Sequence, residues 1–314
     1  MSKLLTQWES TQPNPDEKYL KAIWEDEVNS MEKAFAEEAA EAKRRQTSIM
    51  PLVKAAGLNQ QEITLRLKEL DSLSKKTITL SAQQVSVPPA VDFGQLEKMD
   101  LELVKNIEKK SKELKSTTYQ GYVTKASYGG YWYVYNGEAE EKPSTSFTVS
   151  QNRFDPKAQS YGEGWYDVDY SKINVYLAFV FNSPAWGQLE IKTYPWLHGY
   201  YSLYSNDDWY NSGHARAEVD TWVDVCQNYT RPRQSYRRFT MAGYELHPTR
   251  SGRIDTQYGH SYYTDIGEND TVTVRVGVQL YCRVSASGSH SILNFNAGSA
   301  NYVYVPYIYW RIYT

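Results

Sequence analysis

The sequence predicts an α+β protein in segregated halves: a helical bundle or coiled-coil module over residues 1–117, then an antiparallel, jelly-roll-like β-sandwich over residues 118–314. Three observations carry this reading. Near Lys115 to Gln120 the composition turns from Ala, Glu, Lys and Leu to β-branched and aromatic residues; Tyr19 is the one tyrosine before that point, and the other 27 of 28 follow it. The hydrophobic spacing changes at the same place, from three-and-four to two. No helical pattern returns afterwards, and many alternating strands without intervening helices favour a sandwich or barrel.

The first helix is predicted over "NPDEKYLKAIWEDEVNSMEKAFAEEAAEAKRRQ", with Asn14 as cap, Pro15 in the first turn, early acids and a basic end. Leu20, Trp24, Val28, Met31, Phe35, Ala39 and Ala42 form its apolar stripe. A second helix is expected over "NQQEITLRLKELDSLSKK" through Ile63, Leu67, Leu70 and Leu73, and a third over "DFGQLEKMDLELVKNIEKKSKELK". The proline-containing "SAQQVSVPPAV" between them reads as an extended linker.

In the second half, "DTVTVRVGVQLYCRVS" places Val272, Val274, Val276, Val278, Leu280, Cys282 and Val284 on one face, with Thr273, Arg275, Gln279, Tyr281 and Arg283 on a face expected to be wet. The preceding "DIGEND" supplies the reversal. "HARAEVDTWVDVCQNY" alternates in the same way, and "KINVYLAFVFN" reads as a more fully buried strand. "GQLEIKTYPW", "RRFTMAGYELH" and "HSILNF" add further strands. The C-terminal "YVYVPYIYWRIYT" reads as a strand covered on both sides, with Pro306 marking an edge or bulge.

A formal charge of −3 gives no electrostatic reason to expect nucleic acid as a partner of the whole chain. The first residues lack the apolar centre of a secretory signal, and no apolar run approaches a membrane span. The expectation is synthesis in the cytoplasm; if the protein leaves the cell, it does so by lysis, by injection or on a particle. Cys226 and Cys282 fall on opposite faces in the strand reading, so two reduced thiols are expected.

No nucleophile elbow, phosphate loop, zinc motif or calcium loop is present, and no cofactor or metal is expected. Asp167 with Asp169, and Asp207 with Asp208, are the acid pairs a glycosidase could use, but solvated acids in turns are commoner. The favoured recognition element is "YSNDDWYNSGH", Tyr204 to His214, with Trp209 and Tyr210 stacking on a sugar and Asn206, Asp207, Asp208 and Asn211 bonding to its hydroxyls. "TRPRQSYRR" adds Arg231, Arg233 and Tyr236, flanked by Arg237 and Arg238; guanidinium groups stack on aromatics and grip anions bidentately.

These features favour a non-enzymatic, fibre-tip or lectin-like recognition protein that binds a surface glycan or receptor, with the helical module serving to oligomerise, as a trimer by preference, or to attach. The alternative is a pore-forming or membrane-perturbing toxin, the one reading in which membrane contact enters. A glycan-cleaving enzyme and a particle-shell protein come behind these.

Overall fold

The structure is a computed structural model, which describes residues 5–11, 17–59, 61–70, 72, 102, 118–165, 167–206, 213–227, 233–244, 246, 249–297 and 300–314. In chain order it begins with β1 (Leu5–Ser10), helix α1 (Glu17–Ala55), helix α2 (61–70), β2 (Tyr119–Val123), β3 (Tyr128–Tyr135), β4 (Phe147–Thr148) and β5 (Arg153–Phe154). Then come β6 (Lys157–Tyr161), β7 (Val168–Asn182), β8 (Gly187–Thr193), β9 (Trp196–Tyr204), β10 (His214–Cys226) and β11 (Gln234–Tyr244). The chain closes with β12 (Arg250–Gln257), β13 (His260–Ile266), β14 (Thr271–Ser285), β15 (His290–Asn294), β16 (Tyr302–Tyr304) and β17 (Ile308–Tyr313). The predicted linker and third helix lie outside the described residues, apart from residue 102.

A helical stretch followed by antiparallel β-sheets is therefore the observed architecture. The first layer has the order β1-β3-β7-β14-β10-β11. The second contains β13-β8-β17-β2 and β4-β5-β16-β9-β15-β6, with β12 paired to the free side of β9. Between the layers lies the core: Val272, Val274, Val276, Val278, Leu280, Cys282 and Val284 of β14 are all fully buried, in one cluster with Leu189, Ile191, Leu197, Val303, Ile308 and Ile312. Each such side chain stabilises the fold by about 1.5–3 kcal/mol relative to exposure. The predicted reversal before β14 is closed by Asp270, which accepts from Gly267 N at 2.8 Å, with Asn269 at φ 62°, a conformation Asn tolerates.

The other face of β14 is not wet. Arg275 is fully buried, as are Trp222 of β10 and Tyr176 of β7. The reason is α1, whose stripe through Leu20, Trp24, Val28, Met31 and Phe35 packs on this sheet. An amphipathic helix must bury its apolar side, and the exterior of the first layer, with Trp132, Tyr176, Trp222 and Tyr170, supplies the surface. β1 adds a second tie between the halves, since Leu5–Ser10 pairs antiparallel with β3 from Tyr135 to Gly130. Cys226 and Cys282 are both buried and are not joined in a disulfide; one stands opposite Thr273 and the other opposite Ala217 on the β10–β14 ladder.

Candidate functional site

The second layer runs on from one short sheet into the other. β8 continues into β9 through Tyr194 and Pro195, β12 into β13 through Tyr258 and Gly259, and β16 into β17 through Val305 to Tyr307. Pro195 and Pro306 have no N–H to give to a ladder, so the pairing breaks at their level. Asn152, at φ 52°, bridges the break: its Oδ1 accepts from Ala126 N at 2.8 Å, and its Nδ2 donates to Thr124 O at 2.8 Å and Pro306 O at 3.2 Å. Tyr258 N donates to Pro195 O at 3.0 Å.

Alternation fixes what this layer shows to the outside. Leu189 and Ile191 point into the core, so Gln188, Glu190 and Lys192 point out. By register Tyr263 and Arg311 flank Glu190, Ser261 and Tyr309 flank Lys192, and Gln120 and Tyr122 lie beside Arg311 and Tyr309. These side chains form one hydrogen-bonded network. The hydroxyls of Tyr263 and Tyr313 donate to the two oxygens of Glu190 at 2.7 and 2.8 Å, and Lys192 Nζ lies 2.9 Å from Oε1. Arg311 Nε donates to the Tyr309 hydroxyl at 2.8 Å, and that hydroxyl donates to Gln120 Oε1 at 3.0 Å. The guanidinium also lies 5.5 and 5.8 Å from the ring centroids of Tyr309 and Tyr313.

Burial opposes ionisation of Glu190, but Lys192 and the two tyrosine hydroxyls outweigh it and hold the carboxyl down to about 2. An ionised Glu190 only accepts, so Tyr263 and Tyr313 are committed as donors to it; Tyr313 in turn accepts from Arg311 Nη1 at 3.3 Å, and the oxygen of Tyr263 keeps its lone pairs for another molecule. Tyr263 remains 53% and Tyr313 41% exposed, leaving ring surface open. Tyr122 joins the rings of Tyr309 and Tyr307 at 5.1 and 5.4 Å, and Tyr194 meets Tyr307 at 6.4 Å. Beyond the break the exterior carries Trp196, stacked on His198 at 5.8 Å, and His198 pairs with Asp255. The C-terminal strand is thus core on its Ile308 and Ile312 side, while Tyr309, Arg311 and Tyr313 belong to this outer face.

Of the sequence-predicted site residues, the structure describes Asn206, Arg233 and Tyr236. Asp207, Asp208, Trp209, Tyr210 and Asn211 lie outside the described residues, as does Arg231. Asn206 is buried at the base of that loop, where its carbonyl accepts from Gly213 N at 2.9 Å. Arg233 turns inward: its Cζ lies 4.0 Å from the Trp222 ring centroid and its Nη1 donates to Asn174 Oδ1 at 3.3 Å. Tyr236 is exposed beneath Arg238, which donates to Gly259 O at 3.2 Å and so ties the layers together. The loop enters β10 at His214, whereas Tyr236 stands opposite Thr221, seven residues along the strand or about 23 Å.

Sequence reasoning missed the Glu190 network, which draws on β2, β8, β13 and β17. Its one local trace is the alternation of Tyr309, Arg311 and Tyr313.

A second polar region lies under α1. Glu27 accepts from Trp132 Nε1 at 2.7 Å and pairs with Lys172, and Arg283 reaches Glu38 at 3.2 Å. A cleft of about 330 Å³ between helix and sheet is lined by Tyr170, Lys172, Arg216, Glu218, Arg237 and Tyr281, among others. Its charges are matched internally: Arg216 and Arg237 both pair with Glu218, and Arg237 also pairs with Asp220. Glu27 with Lys172 and Glu38 with Arg283 fasten the helix to the sheet, and the pairs within the sheet leave little charge to offer a ligand. Among the described residues no group of three or more His, Cys, Asp or Glu could hold a metal ion, and no helix is long and apolar enough to cross a membrane.

No family model matches the chain, and no curated protein matches it. Among solved structures it is similar to the carbohydrate-binding module TmCBM61 in complex with β-1,4-galactotriose, with 10% identity over 55% of this chain and 86% of that one, at a TM-score of 0.18. A carbohydrate-binding module of the β-sandwich superfamily gives 6% identity over 57% and 73%, at 0.16. The enzymatically active domain of tailspike protein 4 from bacteriophage CBA120 gives 7% over 52% and 18%, at 0.17. Likenesses at this level stop short of a shared fold.

Proposed function

We propose that this chain is a non-enzymatic recognition protein whose sandwich binds a surface glycan through the exterior of its second layer, with the helical residues serving oligomerisation or attachment. The Glu190 network is the observation that carries this reading. Recognition of a polyol needs flat apolar surface together with directional hydrogen bonds, and the exposed Tyr263 and Tyr313 offer both at once. Their hydroxyls are already oriented by Glu190, so little ordering remains to oppose binding. Placement on paired strands gives the site a stiffness that a loop lacks.

A hydrolytic reading is less well supported. Asp169 is buried, accepts from Asn136 Nδ2 at 3.1 Å, and is pushed up to about 9 by burial and by the nearby carboxylates of Glu141 and Asp167. That describes a neutral structural acid.

The test is a glycan array probed with the wild type and with a Tyr263→Ala, Tyr313→Ala double variant. Binding by the wild type and its loss in a variant of unchanged melting temperature is the expected result. Retained binding moves the site elsewhere, first to the loop Tyr204 to His214, where Trp209→Ala is the matching variant. An empty array with the wild type removes the glycan reading.

A further inference from the structure

Resting on that reading, we infer that the face takes an extended, unbranched polysaccharide along its length, held between Trp186 and Trp196, and does not cap a terminal sugar. Three observations lead there. First, the network occupies a sheet surface drawn from four paired strands, and among the described residues its members all stand on those strands. Second, outward side chains recur about every 6.7 Å along a strand. Gln188, Glu190, Lys192, Tyr194 and Trp196 continue this rhythm across the break at Pro195, because the alternation is unshifted from β8 into β9. A row of evenly spaced donors, acceptors and rings matches a ligand that itself repeats.

Third, the row has an indole at each end. Trp186, 68% exposed, stands one residue before β8, where Gly187 packs so tightly on Tyr313 that an added Cβ would lie 2.2 Å from the Tyr313 carbonyl oxygen. Trp196, 36% exposed, opens β9. Ten residues separate the two indoles, a strand distance of about 33 Å. Large apolar rings left in water cost solvation free energy, and two of them at the ends of one polar row suit a chain that stacks on both. The half-buried aromatics between them, Tyr194, Tyr307 and Tyr122, keep that path lined with rings.

The experiment measures affinity by calorimetry for cello-, galacto- and malto-oligosaccharide ladders of two to eight sugars, with the intact chain and with Trp186→Ala and Trp196→Ala. In at least one series, affinity should rise by roughly tenfold or more with length before levelling off. Each variant should lose roughly tenfold for the longest ligand and level off at a shorter length, and at most one of the two should weaken the disaccharide. Trp186 is so exposed that its removal leaves folding intact, which an unchanged melting temperature verifies. Affinity independent of length, or long-chain affinity untouched in Trp186→Ala, overturns the extended-chain inference while glycan recognition stands. Failure of every ladder and of the array overturns both.

Discussion

Glu190→Gln removes one charge from the outer face and keeps the side chain's shape. In the wild type the carboxylate is 3% exposed and receives Lys192, Tyr263 and Tyr313 within 2.9 Å. Lowering its pKa from 4.5 to about 2 corresponds at face value to about 3 kcal/mol of preference for the ionised, bonded form. Lys192 is 34% exposed and Tyr263 lies half in water, so solvent screening reduces that to about 1–2 kcal/mol. The sign follows from the depressed value: the contribution is complete above about pH 4.5 and is lost as pH falls towards 2. Urea denaturation at a series of pH values should therefore show Glu190→Gln less stable by about 1–2 kcal/mol at pH 7, with the gap closing on acidification. The variant should also bind glycan more weakly, since Tyr263 and Tyr313 lose the acceptor that orients them. Equal stability at pH 7, or a gap that persists unchanged down to pH 2, would refute the reasoning.

Asp224→Ala should cost about 3–5 kcal/mol in the same assay, because it removes the carboxylate that accepts from Nε and Nη2 of the fully buried Arg275 at 2.7 and 3.1 Å; a loss below 1 kcal/mol would show that water reaches the pair. Burial pushes Glu141 up to about 8 and Asp169 up to about 9, so the folded chain keeps protons that the unfolded chain releases. Stability should fall as pH rises from about 4.5 to about 9, and a Glu141→Gln, Asp169→Asn double variant should flatten that slope in thermal melts. Light scattering should find a homo-oligomer, with a trimer the first expectation: Leu52 and Leu65 stay exposed where α1 ends and α2 follows, and a symmetric neighbour would cover them. A monomer at micromolar concentration would remove that expectation.

Local periodicity by itself determined a large part of this protein. The alternation from Val272 to Val284 names the core face of β14 because successive side chains on a strand must point opposite ways, whatever pairs with it. The stripe from Leu20 to Phe35 likewise marks the buried side of α1, and the change in composition near residue 118 marks where the run from β2 to β17 begins. What each face meets is another matter, because the partner lies far away in sequence. Only the tertiary structure turned the apolar stripe of α1 onto the sheet, buried Arg275 beside Asp224, and took Leu5–Ser10 into the first layer next to β3. The outer network was hidden for the same reason. Glu190 reads in sequence as one acid in "GQLEIKTYPW", and it becomes an organising group when register brings Tyr263 and Arg311 to its two sides and sets Tyr313 within reach. A face is encoded every second residue along one strand, but a site of this kind is assembled across four, and pairing between distant segments decides its members.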